Sequence, residues 1–101
     1  MSALLTGKQK RYLRKQAHHL KAIFQVGKQG VNDPLIQQIK DALEKRELIK
    51  ITVLQNCLTD KHTVAAEIVE KSGAKLVQII GSQIVIYKPS LENPVINIKN
   101  L

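Results

Sequence analysis

Apolar and polar residues follow two rhythms along this 101-residue chain. Thr6 and Gln9 stand at capping-box spacing, and behind them Leu13, Ala17 and Leu20 recur on one side at about 100° per residue. The pattern predicts an amphipathic helix over residues 7–18. Ala22-Ile-Phe-Gln-Val26 is a short apolar run stopped by Gly27, and it predicts a strand. Asn32-Asp33-Pro34 is a helix start, with Asp33 as the expected cap and Pro in the first turn. Leu35, Ile36, Ile39, Ala42 and Leu43 keep helical spacing to about residue 46. Residues 48–54 (LIKITVL) are rich in β-branched side chains and predict a second strand. Thr59-Asp60 caps a third helix with Val64, Ala65, Ile68 and Val69 as its buried stripe, ended by Gly73. Residues 74–80 and 83–88 predict two strands joined by a tight Gly81-Ser82 hairpin.

The expected fold is therefore α/β, a single two-layer domain of order α-β-α-β-α-β-β with a mixed four-stranded sheet. Strand-helix-strand crossovers of this length imply parallel strands, and the last hairpin is antiparallel. Residues 48–54 and 76–80 are expected to be buried on nearly both faces. Lys50, Thr52 and Gln78 are candidates for a partly open face. The domain is expected to span residues 1–88, and residues 89–101, with Pro89 and Pro94, an extended C-terminal tail.

Charge changes the picture. The chain carries 16 Lys or Arg and 8 Asp or Glu, a net charge of +8. Lys8, Lys10, Arg11, Arg14, Lys15, Lys21 and Lys28 all precede the first acidic residue, Asp33. The predicted first helix thus has an entirely basic polar face, and its like charges repel. Such asymmetry favours a polyanion, either nucleic acid or an anionic membrane surface, although a merely solvated, solubilising face satisfies the same pattern. The helix has too few bulky apolar residues to insert into a membrane. No apolar run approaches the roughly 20 residues of a membrane span, and Ala3-Leu4-Leu5 is too short for a secretory signal. A single cysteine, Cys57, excludes an intrachain disulfide, packs best as a small apolar residue and fits a cytoplasmic protein.

The basic segment ends in Gly27-Lys28-Gln29-Gly30, between a strand and a helix. Glycines let a second backbone come close, main-chain N–H groups can then face phosphate oxygens, and Lys28 adds charge. RNA modules of the KH type use a GxxG loop this way. Taken alone, the motif is a weak signal, and a plain turn that joins strand to helix accounts for it better; the basic helix before it shifts the balance. The only aromatic residues are Tyr12, Phe24 and Tyr87, too few for a base-stacking platform. His18, His19 and His62 have no metal-ligand spacing, and no catalytic motif is present. Asp41 with Glu44, and Glu67 with Glu70, read as solvated groups beside Lys40 and Lys71. No enzyme activity, cofactor or metal is expected.

Several segments together resemble the CRM (chloroplast RNA splicing and ribosome maturation) domain in its bacterial stand-alone, YhbY-like form. They are Leu5-Thr-Gly-Lys-Gln-Lys10, Ala17-His18, Leu20-Lys21, Val26-Gly-Lys-Gln-Gly30, Glu47-Leu-Ile-Lys50, Gly73-Ala74, Val77-Gln-Ile-Ile-Gly81 and Tyr87-Lys88-Pro89. The resemblance covers about residues 4–88. It implies a fold like the C-terminal domain of translation initiation factor three and RNA binding without catalysis. It further implies ribosomal RNA of the large (50S) subunit precursor as partner and the loop residues Gly27, Lys28, Gln29 and Gly30 as the RNA contact; a cytoplasmic monomer is expected. The basic residues Lys8, Lys10, Arg11, Arg14, Lys15 and Lys21 are the natural second contact. A protein-interaction adaptor that docks its basic face on an acidic ribosome-associated protein is the alternative.

Overall fold

The computed structural model describes residues 5–92 and 94–96. The expectations for residues 1–4 and for the end of the C-terminal stretch lie outside the described residues. The elements run α1 (Gly7–Ala17), β1 (Ala22–Val26), α2 (Asp33–Arg46), β2 (Leu48–Val53), α3 (Lys61–Ser72), β3 (Lys75–Ile80) and β4 (Gln83–Tyr87). The capping box at α1 forms in both directions. The Gln9 N–H donates to Thr6 Oγ1 at 3.1 Å, and the Thr6 N–H donates to Gln9 Oε1 at 2.9 Å. Asn32, not the expected Asp33, caps α2 by accepting the Leu35 N–H at 3.0 Å, which leaves Asp33 and Pro34 inside the first turn. Asp60 caps α3 as expected.

The sheet order is β1-β2-β4-β3, with β1–β2 parallel and β4 antiparallel to both its neighbours. β2 and β3 run the same way but do not pair, because β4 lies between them. Composition explains this. β4 contributes Ile84, Val85, Ile86 and Tyr87, all buried, and suits an interior position. β3 carries Lys75 and Gln78 and takes an edge. The expectation that residues 76–80 are buried on both faces fails there, since Leu76 is 36% and Ile80 53% exposed.

Successive residues of a strand face opposite sides, and β2 and β4 use this to build two cores. Ile49, Ile51, Ile84 and Ile86 pack with Ile36, Ile39 and Leu43 of α2 and Val64, Ala65 and Ile68 of α3. Leu48, Val85 and Tyr87 pack on the other face with Leu13 and Ala17 of α1. Where two layers were expected, α1 thus adds a partial third. Its apolar stripe is narrow, because the helix stops at Ala17, and Leu20 lies beyond it, 36% exposed.

One acid behaves differently from the rest. Glu47 closes α2 with φ 65°, a left-handed backbone rarely adopted by residues other than glycine, and its side chain is only 1% exposed. Its carboxylate accepts the N–H groups of Ser90 (2.9 Å), Val95 (2.6 Å) and Ile96 (2.8 Å). Glu44, read from sequence as solvated, accepts the Leu91 N–H at 2.9 Å, the Glu92 N–H at 3.2 Å and the Ser90 hydroxyl. Residues 89–92 and 94–96 form neither helix nor strand. These two carboxylates hold that segment against the end of α2, and Ile96 reaches the α1 core.

Burial is the largest influence on Glu47 and raises its pKa, but the donors from Ile96, Ser90 and Val95 together outweigh it, so the pKa ends below normal. Glu44 is lowered by the Leu91 N–H first, then by Ser90 and Glu92. A carboxylate with a depressed folded-state pKa stabilises the fold above its unfolded pKa, and this stabilisation fades as pH falls through the folded value. Glu47→Ala strands buried donors and should destabilise the domain by about 2 kcal/mol at neutral pH. The parent should lose stability on acidification below about pH 4, and Glu47→Ala should lose less over that range. Urea denaturation at several pH values measures both.

Candidate nucleic-acid interface

Lys8, Lys10, Arg11, Arg14 and Lys15 lie on α1, whose buried stripe faces the sheet, and all five are exposed. Arg14 Nε reaches the Lys10 carbonyl at 3.4 Å, and none of the five has an acidic partner among the described residues. Lys21 is exposed at the entry to β1, and Gly27-Lys28-Gln29-Gly30 follows its exit. The five residues of β1, at about 3.3 Å each, separate Lys21 from the loop by roughly 17 Å. The predicted residues therefore fall into two groups along the chain, α1 with Lys21 ahead of β1 and the glycine loop after it.

The loop is a closed turn. The Gly30 N–H donates to the Gly27 carbonyl at 3.0 Å, so it is not free for a phosphate. Among the described residues, the N–H groups of Lys28, Gln29 and Val31 make no hydrogen bond, and the Lys28 and Gln29 side chains are exposed. Gly30 has φ +68°, with open space where a Cβ would project. Gly27 is needed for a different reason: a Cβ there would meet Asn56 Oδ1 at 3.2 Å and Leu54 Cδ1 at 3.4 Å. The turn after β2, residues 54–60, is thus the loop's neighbour. The Leu54 N–H donates to the Val26 carbonyl at 2.8 Å and ties the ends of β1 and β2 together. Asn56 was not singled out from sequence, because only the parallel pairing of β1 with β2 brings it to Gly27.

Folding also sorts the charge. α2 and α3 with their caps hold Asp33, Asp41, Glu44, Glu47, Asp60, Glu67 and Glu70, seven of the chain's eight acids. α1 and the four strands contain none, while β2 and β3 add Lys50 and Lys75. The α1 side of the sheet is therefore cationic, and the α2–α3 side is mixed. Only one ion pair forms among the described residues, Lys71–Glu67 at 2.9 Å on α3. Tyr12, Phe24 and Tyr87 all pack against the two cores. His18 and His19 stack edge to face with ring centroids 5.4 Å apart. No group of three or more metal-ligating side chains exists among the described residues, and no helix is long and apolar enough to cross a membrane.

A basic helix on one face of a β1-β2-β4-β3 sheet, with a glycine loop at the sheet's edge, defines a small mixed α/β domain with one cationic helix. The chain belongs to the CRS1 / YhbY (CRM) domain family, whose model matches residues 5–88. It is 63% identical over 90 residues to "Probable RNA-binding protein YqeI" of Bacillus subtilis, covering 89% of this chain and 94% of that one. A Haemophilus influenzae protein named "RNA-binding protein" is 36% identical over 88 residues, covering 87% and 89% of the two chains. The solution structure of the hypothetical protein SAV1595 from Staphylococcus aureus superposes with a TM-score of 0.75 at 57% identity, covering 89% of this chain and 94% of that one.

The two glycines should respond differently to substitution. Gly30→Ala forces an L side chain into the left-handed region and should cost about 1 kcal/mol, while Gly30→Asn should cost less because Asn tolerates that region. Gly27→Ala should cost less than Gly30→Ala, since the Asn56 side chain can turn aside, but Gly27→Val should displace the turn after β2. Chemical denaturation ranks the four, and equal costs at both glycines would mean that the turn relaxes.

Proposed function

We propose that this protein is a non-catalytic RNA-binding protein that uses α1 and the glycine loop as two separated phosphate contacts. The observation that carries this reading is the sorting of charge. Five cations on α1, without an acidic partner among the described residues, face solvent on a helix and sheet whose own residues include no acid, and Lys28 adds positive charge at the loop. Like charges on an isolated helix destabilise it, and an external polyanion removes that cost by neutralising them. The loop adds a close backbone approach through the Lys28 and Gln29 N–H groups. The RNA-binding names of the relatives support RNA as the polyanion. We further assign the target to ribosomal RNA of the large-subunit precursor, with the protein acting in the cytoplasm during 50S assembly, on the resemblance to bacterial YhbY-like domains.

Binding to purified RNA should show a log K that falls linearly with log salt at a slope of about −0.7 to −0.9 per neutralised phosphate. Lys10→Glu/Arg14→Glu should weaken binding to all RNA sequences and make the slope shallower by roughly 1.4 to 1.8. Gly30→Asp should weaken binding at the loop and leave the fold intact, because Asp tolerates a left-handed φ. Crosslinking in cell extract, followed by sequencing, should recover large-subunit ribosomal RNA. If the purified protein binds no RNA but captures an acidic ribosome-associated protein through α1, the adaptor reading replaces this one.

A further inference from the structure

The two phosphate contacts lie at opposite ends of β1, and open sheet lies between them. α1 packs on Leu48, Val77, Val85 and Tyr87 and so covers the end of its face where β2 and β3 begin. The other end is left bare. There the register sets Gln25 beside Thr52, Thr52 beside Gln83, and Gln83 beside Ile80. Their chain neighbours Val26, Ile51, Ile84 and Ile79 point into the α2–α3 core, so these four side chains point to the α1 side. The row crosses all four strands next to the exit of β1 into the glycine loop. Gln25 and Ile80 are exposed and Thr52 and Gln83 half-buried, with half-buried Lys50 two residues behind Thr52 on the same face. Among the described residues, the side chains of Gln25, Lys50, Thr52 and Gln83 make no hydrogen bond or ion pair.

Polar groups without internal partners, set across a sheet that contains no acid, are arranged for a ligand. Two amides and a hydroxyl both donate and accept, which matches ribose hydroxyls and base edges better than phosphates, which call for cations. Base edges are available on a single strand, and an RNA duplex hides most of them. We propose that Gln25, Thr52 and Gln83, with Lys50 behind them, form a platform for a single-stranded RNA segment that runs from α1 to the glycine loop. The platform reads ribose hydroxyls and base edges and so favours RNA over DNA. This rests on the RNA-binding reading and adds to it the part of the site that is not electrostatic.

The test compares the parent with Gln25→Ala/Thr52→Val/Gln83→Ala. Affinity is measured for a short single-stranded RNA of mixed sequence, for the DNA of the same sequence and for an RNA duplex, each over a range of salt. Loss of three hydrogen-bonding side chains should weaken single-stranded RNA binding about tenfold or more. DNA binding should change less, so the preference for RNA should shrink, and the salt slope should stay as in the parent. Gln25→Glu, a single exposed substitution on an edge strand, should weaken RNA binding even if the triple variant melts early. Unchanged affinity and RNA preference in both variants would overturn the platform while leaving RNA binding by α1 and the loop intact. Tighter binding of the duplex by the parent would also overturn it. Absence of any RNA binding by the parent would overturn the general reading and the platform together.

Discussion

The alternation of side chains along β2 and β4 is the constraint on which the rest of the molecule depends. Ile49, Ile51, Ile84 and Ile86 commit one face of the sheet to α2 and α3. Leu48, Val85 and Tyr87 then leave a smaller apolar patch on the other face, and Leu13 and Ala17 of α1 fit it. A slip of one residue in either strand would exchange the two sets and strand both helical layers. Because the second patch is small, α1 covers only part of its face. The bare remainder carries Gln25, Thr52 and Gln83 beside the exposed Ile80, and it lies next to the exit of β1 into the glycine loop.

That packing turns a feature of the linear sequence into a feature of space. The basic residues before Asp33 are neighbours along the chain, but they separate into a helix at one end of β1 and a loop at the other. Seven of the eight acids, spread over the remainder of the chain, gather on α2, α3 and their caps. Where an acid does reach the base of the α1 layer, at Glu47, it is buried and its charge is satisfied by three backbone donors. The carboxylate so held ties the segment after β4 to the end of α2.

Much of this was legible in the chain. Periodicity and caps located all seven elements to within about two residues, because caps, glycines and β-branched runs act locally. The basic residues and the glycine loop were legible for the same reason, as each is a short stretch of sequence. The exceptions are instructive. Asn32 rather than Asp33 caps α2, a choice between adjacent residues that either side chain could satisfy. Glu44 looked solvated because its partners Ser90, Leu91 and Glu92 lie more than forty residues away.

By itself the sequence determined which segments are helix and strand, which helix carries unopposed positive charge, and where the backbone can turn tightly. These follow from local propensity, periodicity and composition. Only the tertiary structure decided that β4 enters between β2 and β3, that α1 lies opposite the other two helices, and that Asn56 abuts Gly27. It alone aligned Gln25, Thr52 and Gln83 across three strands. Strand order and facing depend on which apolar surfaces find each other over long sequence separations, and no local pattern encodes that pairing.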